Sequence, residues 1–588
     1  MSTVMSENRL KRTISSALWA AYGDALGFPT ELASEQLVKE RLGHRRATRT
    51  EQWTRMVGGR FGAQVMLPAG AYSDDTQLRL STCRAISGQG YFDVEAFAKI
   101  ELPIWQIYAL GAGRGSKSAA TSLCNRSTNW FSNFFNGYEN GGGNGAAMRV
   151  QPHVWAAVNL RNKPSYLVDV IRNSICTHGH MRGIAGAVVH AVSLAHVLEH
   201  GRVPTEAEWS LFTNDIRSIP SLIKTDPELA TFWVPTWEKA SNQSLELAVE
   251  QVAAEWEGSV RNAVEWLSRK SETPASLYDG IVSSDKGLSK EERGSGLKCA
   301  LFANVAALLG QRVGSQEIIE TVVNLLNSDT DTIATMAGAL IGAAQPESRY
   351  LGQIQDEAYV RSEAQRLYSI SQGHLVKSFS YPDMLYWQAP RAVIDSLTAT
   401  DYGFQLQGLG DVTPIGDPHL GKQKAAVWQW FSCGWGQTLL IRTRPSLMGS
   451  VGRVVQALPH TSNTADMFED LELSNAYIAE QALPEDTPLS PVSQEVSYPV
   501  EQTGIISSVK IESPTLNDGQ LDGLDHPEKV FPDLDALTSE AIKSFDPTII
   551  GQHLLDLAEQ PNGIYLCVAY SSIVAKARVA RLRHKRKE

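Results

Sequence analysis

This chain is poor in the patterns that build disulfide scaffolds, cysteine metal sites and repeat arrays. Its six cysteines (Cys83, Cys124, Cys176, Cys299, Cys433, Cys567) lie far apart and form no CxxC pair. That excludes a disulfide framework and a cysteine zinc site, and it fits a reducing, cytoplasmic setting. No run is read as the ~18 apolar residues a membrane span needs, so no membrane association is expected. No fixed-period repeat runs through the 588 residues, which excludes a solenoid or propeller. Net charge is also lacking over most of the length. The formal total is −11, but residues 464–547 hold 18 Asp and Glu against three Lys, a net of −15. Residues 548–575 add −2 through Asp556 and Glu559, and residues 576–588 add +6, seven Lys and Arg against Glu588. Residues 1–463 therefore sum to zero. Acidity belongs to one segment, so the total does not exclude a nucleic-acid substrate.

With 43% hydrophobic and 20% charged residues, the composition is that of a globular protein with a sizeable core. Residues 1–360 read as helical: apolar positions recur at helical spacing in Leu167–Ile175, Ile184–Leu198, Ala300–Leu309, Ile318–Leu326 and Ile333–Ala344. The N-terminus imitates a secretion signal, with Arg9, Lys11 and Arg12 ahead of Ile14–Tyr22, but it runs straight into Gly23-Asp24 and reads as a first core helix. Residues 375–455 differ. Trp387, Trp428, Trp430 and Trp435, turn signals at Gly410-Asp411 and Gly416-Asp417, and a strand-like Thr438–Thr443 predict a small mixed α/β or β-rich domain. Residues 460–528, acidic and dotted with proline, read as a flexible linker. Residues 532–588 read as a helical segment ending in the basic tail Lys576–Lys587.

Two segments pack oxygen donors at the start of an apolar helix. They are Ser73-Asp74-Asp75-Thr76, ahead of the helical Gln77–Ile86, and Asp329-Thr330-Asp331-Thr332, ahead of Ile333–Ala344. Helix capping explains one such residue per helix, because Ser, Asp and Thr satisfy the free N–H groups and acids suit the positive end of the dipole. Four in a row exceed what a cap needs. Adjacent carboxylates repel unless a cation stands between them, and carboxylates with hydroxyls, without His or Cys, suit Mg²⁺ or Mn²⁺ rather than zinc. Two clusters from distant parts of the chain could converge on a two-metal site. Three further stretches are unusual: Gly23–Glu31, a Gly/Pro turn presenting a carboxylate; Gly141–Arg149, a glycine loop suited to a phosphate; and Thr177-His178-Gly179-His180. Each has a plainer reading, as a turn, a loop and a structural histidine pair.

Together and in order, the elements GDALGFPTE, GAYSDDTQ, GNGAAMRVQP, THGH and DTDTIATMAGALIGA resemble the ADP-ribosylglycohydrolase family, over roughly residues 10–345. That family includes the dinitrogenase-reductase-activating glycohydrolase and the ADP-ribosyl-acceptor hydrolases. The resemblance implies an all-α catalytic domain over residues 1–360. It implies a binuclear Mg²⁺ centre, with Mn²⁺ as the other candidate, and cleavage of the bond between ADP-ribose and an acceptor. The implied metal ligands are Ser73, Asp74, Asp75, Asp329, Asp331 and Thr332. Glu31 would be the mobile acid/base carboxylate, acting beside Asp74 and Asp75. Gly143, Asn144 and Gly145 would cradle pyrophosphate or ribose, Gly113 and Gly115 would line the same pocket, and His178 would lie beside the substrate. Relatives often have Thr at the position of Ser73, glycines where this chain has Asn327-Ser328, and in some cases Ser-Tyr where it has Gly141-Gly142.

The implied partners are an ADP-ribosylated protein or nucleic acid and an ADP-ribosyltransferase counterpart. A catalytically silent ADP-ribose-binding or structural protein, and a hydrolase of a free ADP-ribose derivative, are the alternative functions. The tryptophans and the basic tail leave open a partner for the C-terminal region.

Overall fold

A computed structural model describes residues 2–447, apart from 385, 391, 401–402 and 423–425. It also describes residues 534–581, apart from 560–565, 568–569, 572, 576 and 579–580. The chain divides into two units, Met1–Pro459 and His460–Glu588.

The first unit is organised around two helices that touch backbone to backbone. Helix α1 (Ser2–Gly27) and a helix near the end of the helical region (Thr330–Ala344) run antiparallel, with Ser15, Trp19, Gly23 and Gly27 of one facing Gly342, Gly338, Ala334 and Asp331 of the other. The contact depends on missing side chains. A Cβ on Gly23 would lie 2.2 Å from the Ala334 carbonyl oxygen, and one on Gly27 would lie 2.5 Å from Asp331 Cα. Spacing of three to four residues keeps these positions on one stripe of each helix. The consequence is functional, because the turn after α1 is pressed against the start of the second helix.

The second helix of this pair is α7; α3 (Asp74–Ala85), α5 (Met181–His200), α6 (Gly296–Val313) and α8 (Glu357–Ser371) pack against the pair, and α2 (Glu35–Leu42) and α4 (Arg114–Leu123) lie further out. The expected runs at 167–175, 318–326 and 333–344 lie within or overlap helices Pro164–Ile175, Ser315–Val323 and α7. Helix α5 is long and apolar enough to cross a membrane by length and composition, with a mean hydropathy of 1.4. This corrects the expectation that no such run exists. Since 89% of that window is buried, α5 is a core helix whose apolarity on all sides matches its surroundings.

The first 360 residues are not purely helical. Strands β1 (Trp53–Val57) and β2 (Ala63–Leu67) form an antiparallel hairpin with Trp53 opposite Leu67 and Val57 opposite Ala63. Five short strands follow later, β3 (Leu397–Thr400), β4 (Gly403–Leu406), β5 (Gly410–Leu420), β6 (Val427–Cys433) and β7 (Thr438–Thr443), each paired antiparallel with the next. The strand read at Thr438–Thr443 is there.

The boundary expected between residues 360 and 375 does not separate two compact bodies, because this meander belongs to the same unit as the helices. Leu397, Phe404, Leu406 and Phe431 share one core with Ile100 and Leu102. Short strands cannot bury two faces alone, so the sheet takes the helical body as its second layer. A buried polar network stitches the seam. Arg84 donates to both oxygens of Glu101 (2.8 and 2.7 Å) and to Gln437 Oε1 (2.8 Å), while Tyr381 donates to Glu101 (2.6 Å). The Arg442 amide donates to the Ile107 carbonyl at 2.8 Å.

In the second unit, helices Leu534–Ser544 and Pro547–Ala558 pack around Leu537, Ala541, Leu557, Tyr570 and Val574, with His553 Nδ1 2.8 Å from the Tyr570 hydroxyl. The linker expected at 460–528 and most of the tail at Lys576–Lys587 lie outside the described residues.

Candidate active site

The start of α3 carries more polar groups than capping uses. Ser73 is its N-cap and accepts from the Asp75 amide at 3.2 Å. The Asp74 amide donates to the Leu110 carbonyl at 3.0 Å, and the other free N–H groups go to a carboxylate 49 residues before Ser73. Buried Asp24 accepts from the Ser73 amide (2.9 Å), the Thr76 amide (2.8 Å) and the Thr76 hydroxyl (2.5 Å). With capping served by Ser73 and Asp24, the side chains of Asp74 and Asp75 are spared for another task. Asp74 Oδ1 accepts from the Ala112 amide at 2.7 Å. Gly111, at φ +113°, passes so close that a Cβ there would lie 2.4 Å from that oxygen. Ala112 itself holds φ +91°, a conformation that costs a non-glycine residue energy and that puts its N–H on Asp74. Asp75 Oδ1 lies 3.4 Å from the Thr332 hydroxyl, at the weak limit of a hydrogen bond, and its buried Oδ2 has no partner among the described residues.

The start of α7 is the other half. Asp329 is the N-cap residue but makes no side-chain cap bond, and Asp331 accepts from the Thr332 amide at 2.9 Å. Asn327 takes φ +73°, so it fills a position where relatives use glycine with a residue that also tolerates the left-handed region. The turn after α1 docks here. The Thr30 hydroxyl lies 2.8 Å from the Gly27 carbonyl oxygen and 3.1 Å from Thr330 Oγ1, which fixes the approach of Glu31.

The electrostatics report the convergence directly. Burial raises the Asp74 carboxyl to about 7, helped by the charges of Glu31 and Asp24. Burial, then Asp24, Asp74 and Asp329, pushes Asp75 well up. Burial, then Glu31, Asp75 and Asp329, does the same to Asp331. Burial and Asp329 raise Glu31, against the pull of Arg55 and Arg41. These acids from three parts of the chain feel one another in a low-dielectric space. Arg79, buried among them, donates to Thr76 Oγ1 (2.6 Å) and Thr335 Oγ1 (2.8 Å), and its charge opposes the rise at Asp24 and Asp75.

The glycine loop and the histidine motif meet on the same side. Buried Arg149 donates to the Gly145 carbonyl (3.1 Å), Asn173 Oδ1 (2.7 Å) and Thr177 Oγ1 (2.7 Å), so one guanidinium ties the loop to the THGH stretch. Thr177 Oγ1 lies 2.7 Å from His178 Nδ1. The other ring nitrogen, Nε2, lies 3.7 Å from where a Cβ on Gly143 would stand. Burial, then the charge of Arg149, pushes His178 down to about 3, so the ring is neutral. The Asn144 amide donates to Cys299 Sγ at 3.3 Å, and that thiol is raised by burial and then by Asp329, which links the loop to the second acid cluster. Gly113 caps α4 and Gly115 follows it. Neither has an atom within 4 Å of where a Cβ would stand, so both border open space. Ser116, on the same helix, approaches Gly145.

The two acid clusters, Glu31, the glycine loop and the THGH stretch are thus linked by contacts and charge, while Gly113 and Gly115 border open space beside them. Arg149 was read as the arginine closing the phosphate-suited glycine loop and Asp24 only as part of the Gly23–Glu31 turn, while Arg55 and Ala112 carry no local mark. The donor chemistry fits a hard cation, because carboxylates and hydroxyls predominate and Asp75 offers a buried, unpartnered oxygen. Among the described residues, no three His, Cys, Asp or Glu side chains are drawn close enough to enclose an ion by themselves.

A family model for ADP-ribosylglycohydrolase matches residues 5–374. No curated protein sequence matches the chain. Among solved structures, a chain described as an ADP-ribosylglycohydrolase-related protein complex is 21% identical over 62% of this chain and 99% of its own, with a TM-score of 0.38. The match to the family model covers well over half of the residues: this chain belongs to the ADP-ribosylglycohydrolase family.

Proposed function

We propose that this protein is a Mg²⁺-dependent hydrolase that cleaves the glycosidic bond between ADP-ribose and an acceptor on a protein or nucleic acid. The observation that carries this reading is the unpartnered Oδ2 of Asp75 inside a set of buried, mutually repelling carboxylates. Such an arrangement is costly unless positive charge joins it. Ser73, Asp74, Asp75, Asp329, Asp331 and Thr332 would hold two Mg²⁺ ions, or Mn²⁺ in their place. Bound there, the ions would neutralise the acids, orient ribose hydroxyls and acidify a water.

The chain's own residues then have separable tasks. Glycosidic cleavage passes through an oxocarbenium-like state, so the leaving group needs a proton and the sugar needs to be held still. Glu31 is the acid/base candidate. Its side chain keeps 24% of its surface exposed, so a reactant can reach it, and its raised pKa suits proton exchange nearer neutrality. The Gly143–Gly145 backbone would approach the pyrophosphate or ribose, and Gly113 and Gly115 would admit the same ligand at the positive N-terminal end of α4. His178, neutral, would offer an N–H without adding charge. Arg149 mainly orients the loop, because four of its five N–H donors are committed to Gly145, Asn173 and Thr177. The substrate would be supplied by an ADP-ribosyl-transfer reaction. The test is release of ADP-ribose from mono-ADP-ribosylated arginine, serine and nucleobase substrates, in excess Mg²⁺ and in EDTA. Release that EDTA abolishes supports the proposal, and no release from any of them in Mg²⁺ would sink it.

A further inference from the structure

The sheet β3–β7 lies beyond the residues matched by the family and plays no part in the chemistry above. It nevertheless reaches the loop that carries Glu31, by way of the β1–β2 hairpin.

Along β1, side chains alternate between faces, so Trp53, Arg55 and Val57 share the face on which β2 places Leu67, Val65 and Ala63. All of these except Arg55 are apolar and buried. Within the hairpin this inward cation gains only its contact with the Trp53 ring, 5.8 Å away, so its position asks for a further reason. The Arg55 guanidinium lies 4.2 Å over the Phe28 ring, and its Nη2 is 3.9 Å from Glu31 Oε2. Its Nη1 is buried without a partner among the described residues. Phe28 meets Trp53 edge to face at 5.2 Å, and Arg41 donates to the Pro29 carbonyl at 2.7 Å. The segment leading to Glu31 is therefore held by the hairpin and α2 on one side, as well as by the start of α7 on the other.

The hairpin in turn rests on the sheet. Gly58, at φ +77°, comes so close to Trp428 of β6 that a Cβ would lie 2.2 Å from its ring. The Lys422 amide donates to the Phe61 carbonyl at 3.1 Å. Trp428 and Leu440 belong to a small core with Phe28, Trp53 and Val57, distinct from the main one. A continuous path of contacts thus runs from the sheet through Gly58 and Arg55 to Glu31.

We propose that the sheet is part of the catalytic apparatus: Trp428 is a positioning residue that, through the β1–β2 hairpin and Arg55, fixes Glu31 for reaction. This rests on the role given to Glu31 above. The experiment uses the full chain, steady-state kinetics on the best-released substrate, and hydrogen–deuterium exchange of the hairpin. Trp428→Ala lowers kcat about tenfold or more and leaves KM within about twofold, since small misplacements of a reacting group have effects of that order. Trp428→Phe restores most of the loss. The double variant Trp428→Ala/Arg55→Ala is no slower than Arg55→Ala alone, and amides of residues 28–33 and 53–67 exchange faster in Trp428→Ala. Leu406→Ala, which opens a hole where the sheet meets the main core, lowers thermal stability without either effect. If Trp428→Ala does not fold, Gly58→Ala disturbs the same contact from the other side and is expected to behave alike. Losses that multiply in the double variant, unchanged hairpin exchange, or equal loosening by Leu406→Ala would each overturn the proposal. A wild-type protein that releases no ADP-ribose would refute the functional reading instead, while the exchange arm would still decide the coupling.

Discussion

Lowering the pH should strip Mg²⁺ from this protein far more steeply than it would from isolated carboxylates. Asp74 is raised to about 7 by burial and by its acidic neighbours, and Asp75, Asp331 and Glu31 move the same way. To bind a cation at pH 5, the coupled group must give up a proton held with a pKa of about 7. Since the group is half protonated at pH 7 and almost fully protonated at pH 5, apparent affinity falls roughly fiftyfold, about 2.3 kcal/mol, between the two. The same shift governs the metal-free fold. Between 3.8 and about 7 the folded chain keeps a proton that the unfolded chain has lost, so its stability falls as pH rises through that window. At roughly 1.4 kcal/mol per pH unit the whole effect is about 4 kcal/mol. Titrating groups away from the acid cluster act equally with and without the ion and cancel in the difference, while Asp75, Asp331 and Glu31 change in the same direction as Asp74. Isothermal titration with Mg²⁺ at pH 5, 6, 7 and 8, paired with thermal unfolding in Mg²⁺ and in EDTA, measures both quantities. Affinity that is flat from pH 5 to 7, or stronger at pH 5, would refute the reasoning.

Other perturbations separate parts of the account. Asp24→Asn turns an amide donor toward N–H groups that now donate to a carboxylate, and should destabilise the fold by roughly 3–5 kcal/mol in chemical denaturation while weakening the Mg²⁺ effect. Gly27→Ala forces a methyl group against Asp331 Cα, and should cost about 1–3 kcal/mol and lower activity further than an equally destabilising change elsewhere in the core. His190, buried beside Gln151 and lowered from 6.5 to about 3 by burial and then by Arg79, takes up a proton in the unfolded chain before it can in the folded one. Stability is therefore lost as pH falls below 6.5. In His190→Gln the slope of unfolding free energy against pH, from pH 6 to 4, should be shallower by about 1.4 kcal/mol per unit.

Much of this was legible in the sequence because helical periodicity and clustered oxygen donors are local signals. The apolar spacing at 184–198 and 300–309 marked α5 and α6, and the runs of Ser, Asp and Thr marked the starts of α3 and α7. What escaped was settled by distant contacts. The β1–β2 hairpin is only five residues a side and carries an arginine on its inner face, which breaks the apolar alternation that would reveal it. The tryptophans at 387–435 suggested a body of their own, yet the sheet completes its core against helices fixed three hundred residues earlier. Asp24 looked like one more turn residue. Only the packing of α1 against the start of α3 brings it to the amides of Ser73 and Thr76.

The most direct test is single-turnover release of ADP-ribose from the acceptor panel by protein stripped with EDTA and then titrated with Mg²⁺, with Asp75→Asn alongside. The account predicts no release when stripped, recovery as Mg²⁺ is restored, and no recovery in Asp75→Asn. Release that persists in EDTA, or an Asp75→Asn variant as fast as wild type, would contradict it.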